Sequence, residues 1–537
     1  MQYYFDETSG FLLDMSGWPQ IDQLEELLEK YSFNNQLCMD HIAALERGDI
    51  VNATKVASES ENRAVDHYTH RLSEEHFPVD MKFEGRSLEK SIEYWNKVKS
   101  DVEKVLSGEH TTTNGEKFTD VIFNGIGGSF LGPLMLILGI YGETYNMALP
   151  IRVHFVSNTD PEDLSTLLSR ININTTMMVS ISKSGGTSET VGNWLAWVEL
   201  LKVQNLNVGM HCAAITTRNS GLDKQATELG FSFIWHMETE TGGRTSIGSA
   251  VGMVPAAFAQ IDFSDFLRGQ SHMDVLTRNP QSKENPAMLI ATLIDRLTQT
   301  QGNKNMIVLG YSSFLKEFSH YLQQLYMESI GKEYTVSGIR RPTGQTVFGG
   351  VGTGEQHAFM QQIQKGISDA FVRFIHFENR TTDFSNEKAG SMGRQLLAFV
   401  LGTQAALTQN EKPYISMRFK DRNAMALGMM VALEERIVSF LSVFRDINAY
   451  DQPGVQDGKL AAKAINALSM AVVENLNIME GVVDIAALVE GADIREVDYI
   501  LTDLYANQKV ENSYDDFTKE LTRSFNAESG LFVYTVC

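Results

Sequence analysis

The sequence predicts an α/β protein with two successive domains, each built on a parallel sheet, and with helical segments at both ends. Apolar runs of strand length end in small polar residues and alternate with helical patterns, which is typical of strands buried on both faces of a sheet. Such a series occurs twice, between about residues 120 and 236 and between about residues 306 and 419. The length of 537 residues also favours two to four domains, because it exceeds what one core usually holds.

The apolar runs locate the expected strands. Those of the first domain are Val121–Ile126, Val153–Ser157, Thr176–Ile181, Cys212–Thr217 and Phe231–His236. Those of the second domain are Met306–Tyr311, Phe371–Phe377 and Ile415–Phe419. Ligands of such sheets bind beyond the carboxyl ends of the strands, so the loops that follow these runs are where a site is expected.

Helical patterns account for the segments around and between the two series. Apolar residues recur at helical spacing between Leu24 and Tyr31, and residues 246–300 are mostly helical in pattern. The tail carries expected helices at Leu460–Leu476 and Ile494–Ala506.

These patterns predict four parts of the chain. Residues 1–85 form a helical N-terminal segment that packs on the second domain, and residues 86–255 form the first, phosphate-binding α/β domain. Residues 256–450 form the second α/β domain, and residues 451–537 form a helical C-terminal arm.

Composition limits the partners and the compartment. With 45 Lys and Arg against 67 Asp and Glu, the net charge is −22, which argues against a broad nucleic-acid or anionic-membrane surface. A small anionic ligand stays possible, because it needs only a few local cations and N–H groups. Cys38, Cys212 and Cys537 match no metal-ligand spacing and favour a reducing compartment. The N-terminus is not a signal peptide and the apolar stretch Leu131–Tyr141 is too short to span a bilayer, so we expect a cytoplasmic protein.

The first candidate loop, 124–133, has the sequence NGIGGSFLGP and lies between an expected strand and a helix. Its glycines let the backbone approach a ligand closely, and the N-terminus of a helix favours an anion. A dinucleotide fingerprint would need Gly at position 130, where Phe130 stands. On the motif alone, an anion-binding turn and a plain tight connection fit equally well.

The second candidate loop, 182–190, has the sequence SKSGGTSET and also follows a strand. Five hydroxyls, one ammonium group and two glycines lie within nine residues, and a phosphate is bound by such donors together with positive charge. We favour phosphate binding over a simple polar turn. Loops on neighbouring strands of one sheet would converge on one site.

Four further segments carry candidate residues, although each alone fits an ordinary structural role. Arg244 follows two glycines in 242–246, and Gln324 and Glu328 share a helix face at i and i+4. In 353–357, Thr353 and Gln356 have capping-box spacing, which would place His357 in the first turn of a helix, where it could donate or accept a proton. In 451–459, an ordered loop is expected to end in Lys459, which opens a helix.

Together these segments resemble a known family. GIGGSFLGP, SKSGGTSET, GGRTSIGSAVG, QQLYMESIGKE, GEQHAF and DQPGVQDGK are similar, in identity and order, to the signature segments of the glucose-6-phosphate isomerase (phosphoglucose isomerase) family. The resemblance covers roughly residues 85–470. It implies two sugar-isomerase (SIS-type) α/β sandwich domains and a helical arm that embraces a second subunit. It also implies interconversion of glucose 6-phosphate and fructose 6-phosphate in glycolysis and gluconeogenesis, without metal or nucleotide cofactor.

The resemblance also implies roles for single residues. By this resemblance, Glu328 would be the base that carries a proton between C2 and C1, and Arg244 would stabilise the cis-enediolate. His357 and Lys459 would open the sugar ring, and the histidine would reach the active site of the neighbouring subunit, so that a homodimer would share its sites. The residues expected to bind the substrate and its phosphate are Gly128, Ser129, Ser182, Lys183, Ser184, Gly185, Thr187, Gln324 and Gln452.

Two alternatives share the same fold. One is a dual glucose/mannose phosphate isomerase, which the sequence does not separate from a strict glucose-6-phosphate isomerase. The other is a non-catalytic sugar-phosphate-binding protein. The joint presence of Glu328, Arg244, His357 and Lys459 argues against a pure binder, because phosphate binding alone needs neither a base nor a ring-opening pair.

Overall fold

The computed structural model describes residues 2–56, 58, 60–367, 369–388, 390–510, 517–526 and 531–537. The chain divides into two compact units, an N-terminal unit, Met1–Asp451, and a C-terminal unit, Gln452–Cys537. The N-terminal unit contains two large sheets with helices around them, which confirms the predicted α/β class with parallel sheets. The finer domain limits given above stay a prediction.

Strands of the N-terminal unit are numbered in chain order. They are β1 (Tyr3–Asp6), β2 (Phe11–Asp14), β3 (Asp120–Asn124), β4 (Arg152–Val156), β5 (Thr176–Ile181), β6 (Cys212–Thr217), β7 (Phe233–Met237), β8 (Asn305–Gly310), β9 (Thr346–Val351), β10 (Ala370–Phe377), β11 (Ser385–Asn386), β12 (Gly390–Ser391) and β13 (Tyr414–Phe419).

Helices of the N-terminal unit lie between and around these strands. They are Leu24–Lys30, Ser32–Arg47, Leu88–Ser107, Gly128–Tyr141, Pro161–Leu168, Ser188–Val203, Val208–His211, Gly221–Glu228, Ala250–Phe258, Phe263–Thr277, Pro286–Asp295, Phe318–Ile330, Gly352–Glu355, Met360–Lys365, Met392–Gln409 and Ala424–Phe444. The expected helical stretch between the two sheets is thereby confirmed.

The first sheet has the order β4-β3-β5-β6-β7 and is parallel throughout. All five strands were expected, and β5 and β6 begin and end at the expected residues. They are buried on both faces because helices cover them, which is why they form continuous apolar runs. Since β3 and β5 are neighbours, with Asn124 opposite Ser180, the two candidate loops leave adjacent strands at the same edge.

The second sheet has the order β1-β2-β13-β10-β8-β9. Strands β13, β10, β8 and β9 are parallel, and the β1–β2 hairpin pairs antiparallel with β13. The expectation of a helical N-terminal segment is therefore wrong for Tyr3–Asp6 and Phe11–Asp14, which are strands. Strand β9 was also missed, because Gly349 and Gly350 interrupt its apolar run. A Cβ at Gly349 would lie 1.9 Å from the Val308 carbonyl oxygen, so this strand needs glycine for close packing.

A buried helix pair lies at the centre of the N-terminal unit. The helix Ala424–Phe444 is buried along nearly its whole length and packs on the helix Phe263–Thr277. Glycine permits the close approach on both sides: a Cβ at Gly269 or at Gly428 would lie 2.0 Å from a carbonyl oxygen of the opposite helix. Little relative movement of these two helices is expected from such close packing.

The C-terminal unit combines helices with a small antiparallel sheet. Its helices are Pro453–Ile478, Ile485–Leu488 and Ile494–Asn507. Its strands are β14 (Gly481–Val482), β15 (Leu521–Asn526) and β16 (Leu531–Val536), in the order β14-β16-β15. The expected helices are present, but the expectation of a wholly helical arm is wrong. Tyr534 and Val536 alternate in β16 as buried residues, which gives this sheet one face towards a core of its own.

Across the described part of the chain, every helix is either too short or too polar to cross a lipid bilayer.

Candidate active site

Two glycines bring three segments of the chain into contact. A Cβ at Gly128 would lie 1.9 Å from the carbonyl oxygen of Gly243, so the loop after β3 packs directly on the loop that carries Arg244. Gly127 has φ +59°, which favours glycine, and a Cβ there would lie 3.1 Å from Gln324 Nε2. The end of β3, the loop after β7 and the helix Phe318–Ile330 therefore meet at one place.

Arg244 is buried and hydrogen-bonded on all sides of its guanidinium group. Its Nε donates to Ser329 Oγ at 2.8 Å, and its Nη1 donates to Glu328 Oε2 at 3.2 Å. Its Nη2 donates to the carbonyl oxygens of Ala449 and Asp451, the latter at 3.0 Å. Burial lowers its pKa, while Glu328 acts in the opposite direction. The result is a fixed cation, one N–H group of which points at the Glu328 carboxylate.

Glu328 is held on both carboxylate oxygens. Gln324 Nε2 donates to Glu328 Oε1 at 3.2 Å, so the predicted i, i+4 relationship on one helix face is confirmed. The Glu328 side chain is 25% exposed, whereas that of Arg244 is only 3% exposed. A positioned carboxylate that is partly open to solvent can take a proton from a bound molecule, and the adjacent guanidinium can stabilise negative charge that develops there.

The loop after β5 is folded by its own hydroxyls. Ser182 Oγ accepts from the amide of Gly185 at 3.0 Å and donates to Thr187 Oγ1 at 3.3 Å. Ser184 Oγ accepts from the amide of Gly186 at 3.2 Å. Gly185 has φ +72°, and a Cβ there would lie 2.2 Å from the Leu222 amide nitrogen. The loop is therefore a compact turn at the N-terminus of the helix Ser188–Val203, in which Ser184 is exposed, Thr187 is half-buried and Ser182 is buried.

Lys183 connects this loop to the one that carries Arg244. Its Nζ donates to the carbonyl oxygen of Thr241 at 3.0 Å, three residues before Arg244. The pKa of Lys183 is lowered to about 8, mainly by burial and also by Arg63, while nearby carboxylates act in the opposite direction. A bound anion would favour the charged form of the lysine. Ser129, which directly follows Gly127 and Gly128, is half-buried in the first turn of the helix Gly128–Tyr141.

The position of His357 differs from expectation. The helix Gly352–Glu355 is one turn long and has no side-chain cap, and His357 lies exposed in the turn after it. The capping-box interpretation is wrong because Thr353 lies inside this turn of helix and not before it. The His357 amide donates to the Gly354 carbonyl oxygen at 3.0 Å. Within the described residues, no hydrogen bond connects its side chain with Glu328 or Arg244.

Gln452 and Lys459 belong to the C-terminal unit. The helix Pro453–Ile478 begins directly after Gln452, with a proline in its first turn, and Lys459 is exposed on it. The expected ordered loop before Lys459 is therefore wrong, because the helix starts six residues earlier.

Three residues of the site were not found from the sequence. Ser329 bonds the Arg244 guanidinium, Asp451 supplies a carbonyl oxygen to it, and Lys332 pairs with Asp451. The available signal was that Ser329 and Lys332 belong to the same MESIGK segment as Glu328. Gly331 in that segment allows a close contact, since a Cβ there would lie 2.4 Å from the Met327 carbonyl oxygen.

Comparison with known proteins identifies the family of this chain. A model of the phosphoglucose isomerase family matches residues 20–477. The glucose-6-phosphate isomerase of Prochlorococcus marinus (strain NATL2A) is 36% identical over 477 residues, which are 88% of this chain and 87% of that protein. The corresponding protein of Trichormus variabilis is 35% identical over 515 residues and 94% of each chain. The crystal structure of a glucose-6-phosphate isomerase from Chlamydia trachomatis matches with a TM-score of 0.76 at 25% identity, over 87% of this chain and 90% of that one.

The fold, the paired carboxylate and guanidinium, and these similarities define an enzyme class, the aldose–ketose isomerases. Within that class, the chain belongs to the phosphoglucose isomerase family. The family model stops at residue 477, but the match to the Trichormus variabilis protein covers so much of the chain that it extends past residue 480. At least part of the chain beyond residue 480 is therefore matched in that relative.

Proposed function

We propose that this chain interconverts glucose 6-phosphate and fructose 6-phosphate by ring opening and proton transfer through a cis-enediolate. The observation that carries the proposal is the Glu328 carboxylate held between Gln324 Nε2 and Arg244 Nη1, each at 3.2 Å. Moving a carbonyl group by one carbon needs a base that removes a proton and returns it to the next carbon. It also needs a fixed cation where the oxyanion develops. Glu328 and Arg244 would supply these two groups.

The loop after β5 would bind the phosphate of the substrate. Its hydroxyls, its glycine amides and the half-buried Lys183 are the donors that a dianion requires, and the contact of Lys183 with Thr241 keeps them close to the arginine loop. The proposed phosphate and substrate contacts are Gly128, Ser129, Ser182, Lys183, Ser184, Gly185, Thr187, Gln324 and Gln452.

His357 and Lys459 would open the sugar ring, His357 by protonating the ring oxygen and Lys459 by handling the proton of the C1 hydroxyl. His357 would act in the active site of a second copy of the chain, so the working enzyme would be a homodimer. Support for this comes from the exposure of His357 in a single chain, where no hydrogen bond among the described residues joins its side chain to Glu328. We further propose a cytoplasmic enzyme of glycolysis and gluconeogenesis.

A coupled assay tests the proposal. The purified chain, without added metal, should convert fructose 6-phosphate to glucose 6-phosphate, and Glu328→Gln should abolish turnover while the circular dichroism spectrum stays unchanged. Glu333→Gln is a matched control, because Glu333 lies five residues away, half exposed in an ion pair with Arg340. Full activity of Glu328→Gln would overturn the proposed mechanism. Binding without turnover by the unaltered chain would instead indicate a non-catalytic sugar-phosphate-binding protein.

A further inference from the structure

A second buried cation, Lys332, lies next to the Arg244–Glu328 pair. Its Nζ lies 2.6 Å from Asp451 Oδ1 and donates to the carbonyl oxygen of Asp451 at 2.8 Å. Lys332 and Asp451 are only 8% and 2% exposed. Lysine is rarely buried to this extent unless its charge is paired, and here the Asp451 carboxylate supplies the opposite charge.

The backbone of Asp451 is shared by the two cations. Its carbonyl oxygen accepts from Lys332 Nζ and also from Arg244 Nη2, the latter at 3.0 Å. The same Arg244 nitrogen donates to the Ala449 carbonyl oxygen. The Asp451 carboxylate is fixed from its other side, since Asn448 Nδ2 donates to Oδ2 at 2.7 Å. Residues 448–451 therefore hold Nη2 of the guanidinium group in place, while Nη1 donates to Glu328.

Loss of Lys332 would remove the positive charge that pairs with the Asp451 carboxylate. The Asp451 carboxylate would stay buried without its cation, which is strongly unfavourable. Arg244 is a cation close to this carboxylate, because it already donates to the carbonyl oxygen of the same residue. A turn of the guanidinium group towards the carboxylate would remove Nη1 from Glu328 and from the place where substrate charge develops.

We propose that Lys332 is a positioning residue, which neutralises Asp451 and thereby holds the Arg244 guanidinium in its working geometry beside Glu328. The inference rests on the proposed function. Lys332 does not act on the substrate, and its effect is therefore on the rate of the bound complex more than on substrate binding.

The protonation of Lys332 provides a distinct readout. The charged groups that face it are Asp451, Arg244 and Glu328. The pKa of Lys332 is lowered to about 8, mainly by burial and also by Arg244, while Asp451 and Glu328 act in the opposite direction. As the pH rises through about 8, the lysine loses its proton and Asp451 loses its cation, so kcat should fall. An arginine at this position would stay charged.

The experiment compares Lys332→Met and Lys332→Arg with the unaltered chain at saturating fructose 6-phosphate. Because a displacement of about 1 Å in an active site can cost about a hundredfold in rate, we expect Lys332→Met to lower kcat at least about tenfold and to change KM less than about threefold. Lys332→Arg should keep more activity, and its kcat should no longer fall above pH 8. Lys316→Met is the control, since Lys316 forms an exposed ion pair with Glu143.

Three results would overturn the inference. One is a folded Lys332→Met variant whose kcat stays within about threefold of the unaltered chain. Another is an unaltered chain whose kcat stays constant up to pH 9.5, and the third is an unchanged alkaline decrease in Lys332→Arg. The last two decide the matter even if Lys332→Met does not fold. An unaltered chain without isomerase activity would overturn the proposed function as well, whereas an active chain with an unimpaired Lys332→Met variant would overturn this inference alone.

Discussion

Gly128 packs against the backbone of Gly243 so closely that any side chain at position 128 would overlap the Gly243 carbonyl oxygen, since a Cβ would lie 1.9 Å from it. This contact joins the loop after β3 to the loop of Arg244. The same stretch of backbone touches Gln324 through Gly127. A pair of glycines thus sets the distance between the proposed phosphate-binding side of the site and its base.

Gly128→Ala should therefore lower both stability and activity. We expect a loss of about 1–3 kcal/mol in the free energy of unfolding, as for overpacked cores, and at least about a tenfold loss of kcat/KM, because the arginine loop must move away. The control is Gly192→Ala, at an exposed helical position with no atom within 4 Å, where alanine should be neutral or slightly stabilising. Denaturant unfolding and the coupled assay measure both, and equal effects of the two variants would contradict the prediction.

Arg244→Lys tests the geometry of the cation and not only its charge. A lysine ammonium cannot make the separate bonds that Arg244 makes to Ser329, Glu328 and the carbonyl oxygens of residues 449 and 451. We expect kcat to fall by about a hundredfold or more, as when a single oxyanion-stabilising donor is removed, with a small change in KM. Arg340→Lys, at an exposed ion pair with Glu333, serves as the control. A decrease in kcat similar to that of the control would show that the positive charge alone, without the guanidinium geometry, supports turnover.

Substrate affinity should decrease at alkaline pH because of Lys183. Burial lowers its pKa to about 8, so the ammonium group, which we propose to contact the phosphate, loses its proton as the pH rises through that value. Because the charged lysine attracts the phosphate, the KM for fructose 6-phosphate should be lowest below pH 8 and should rise above it, by at most about tenfold per pH unit. Lys183→Arg, which keeps its charge, should flatten this rise. An identical rise in KM for Lys183→Arg would assign the effect to another group.

Much of the fold could be predicted because burial on both faces produces continuous apolar strands. All eight expected strands of the two large sheets exist, and the helix that carries Gln324 and Glu328 presents them on one face. Strand β9 escaped prediction because its pairing with β8 depends on glycine, and glycine has no strand signal of its own. The β1–β2 hairpin was missed because its edge position is decided by pairing with β13, more than 400 residues later in the chain.

Candidate site residues could be chosen from the sequence where their chemistry is local, but not where it depends on contacts distant in sequence. Residues in compact loops, such as Ser182 and Thr187, could be chosen as candidates because the chemistry of phosphate binding is local in sequence, and their role stays a prediction. Asp451 could not, because it acts on Arg244 through its backbone oxygen, and a carbonyl group has no sequence signature. Lys332 could not be singled out either, since its burial depends on an ion pair with a residue 119 positions away.

Glu434→Gln should destabilise the scaffold that carries Glu328. The Glu434 carboxylate is fully buried against Arg373 and accepts from Tyr326, which lies on the same helix as Glu328. Neutralising it leaves the Arg373 guanidinium buried without a counter-ion, which typically costs about 3–5 kcal/mol in the free energy of unfolding. The matched control is Glu378→Gln, because Glu378 pairs with Arg418 on the same sheet while both side chains are about two-fifths exposed. That variant should lose no more than about 1 kcal/mol, so denaturant midpoints that fall equally in both would contradict the prediction.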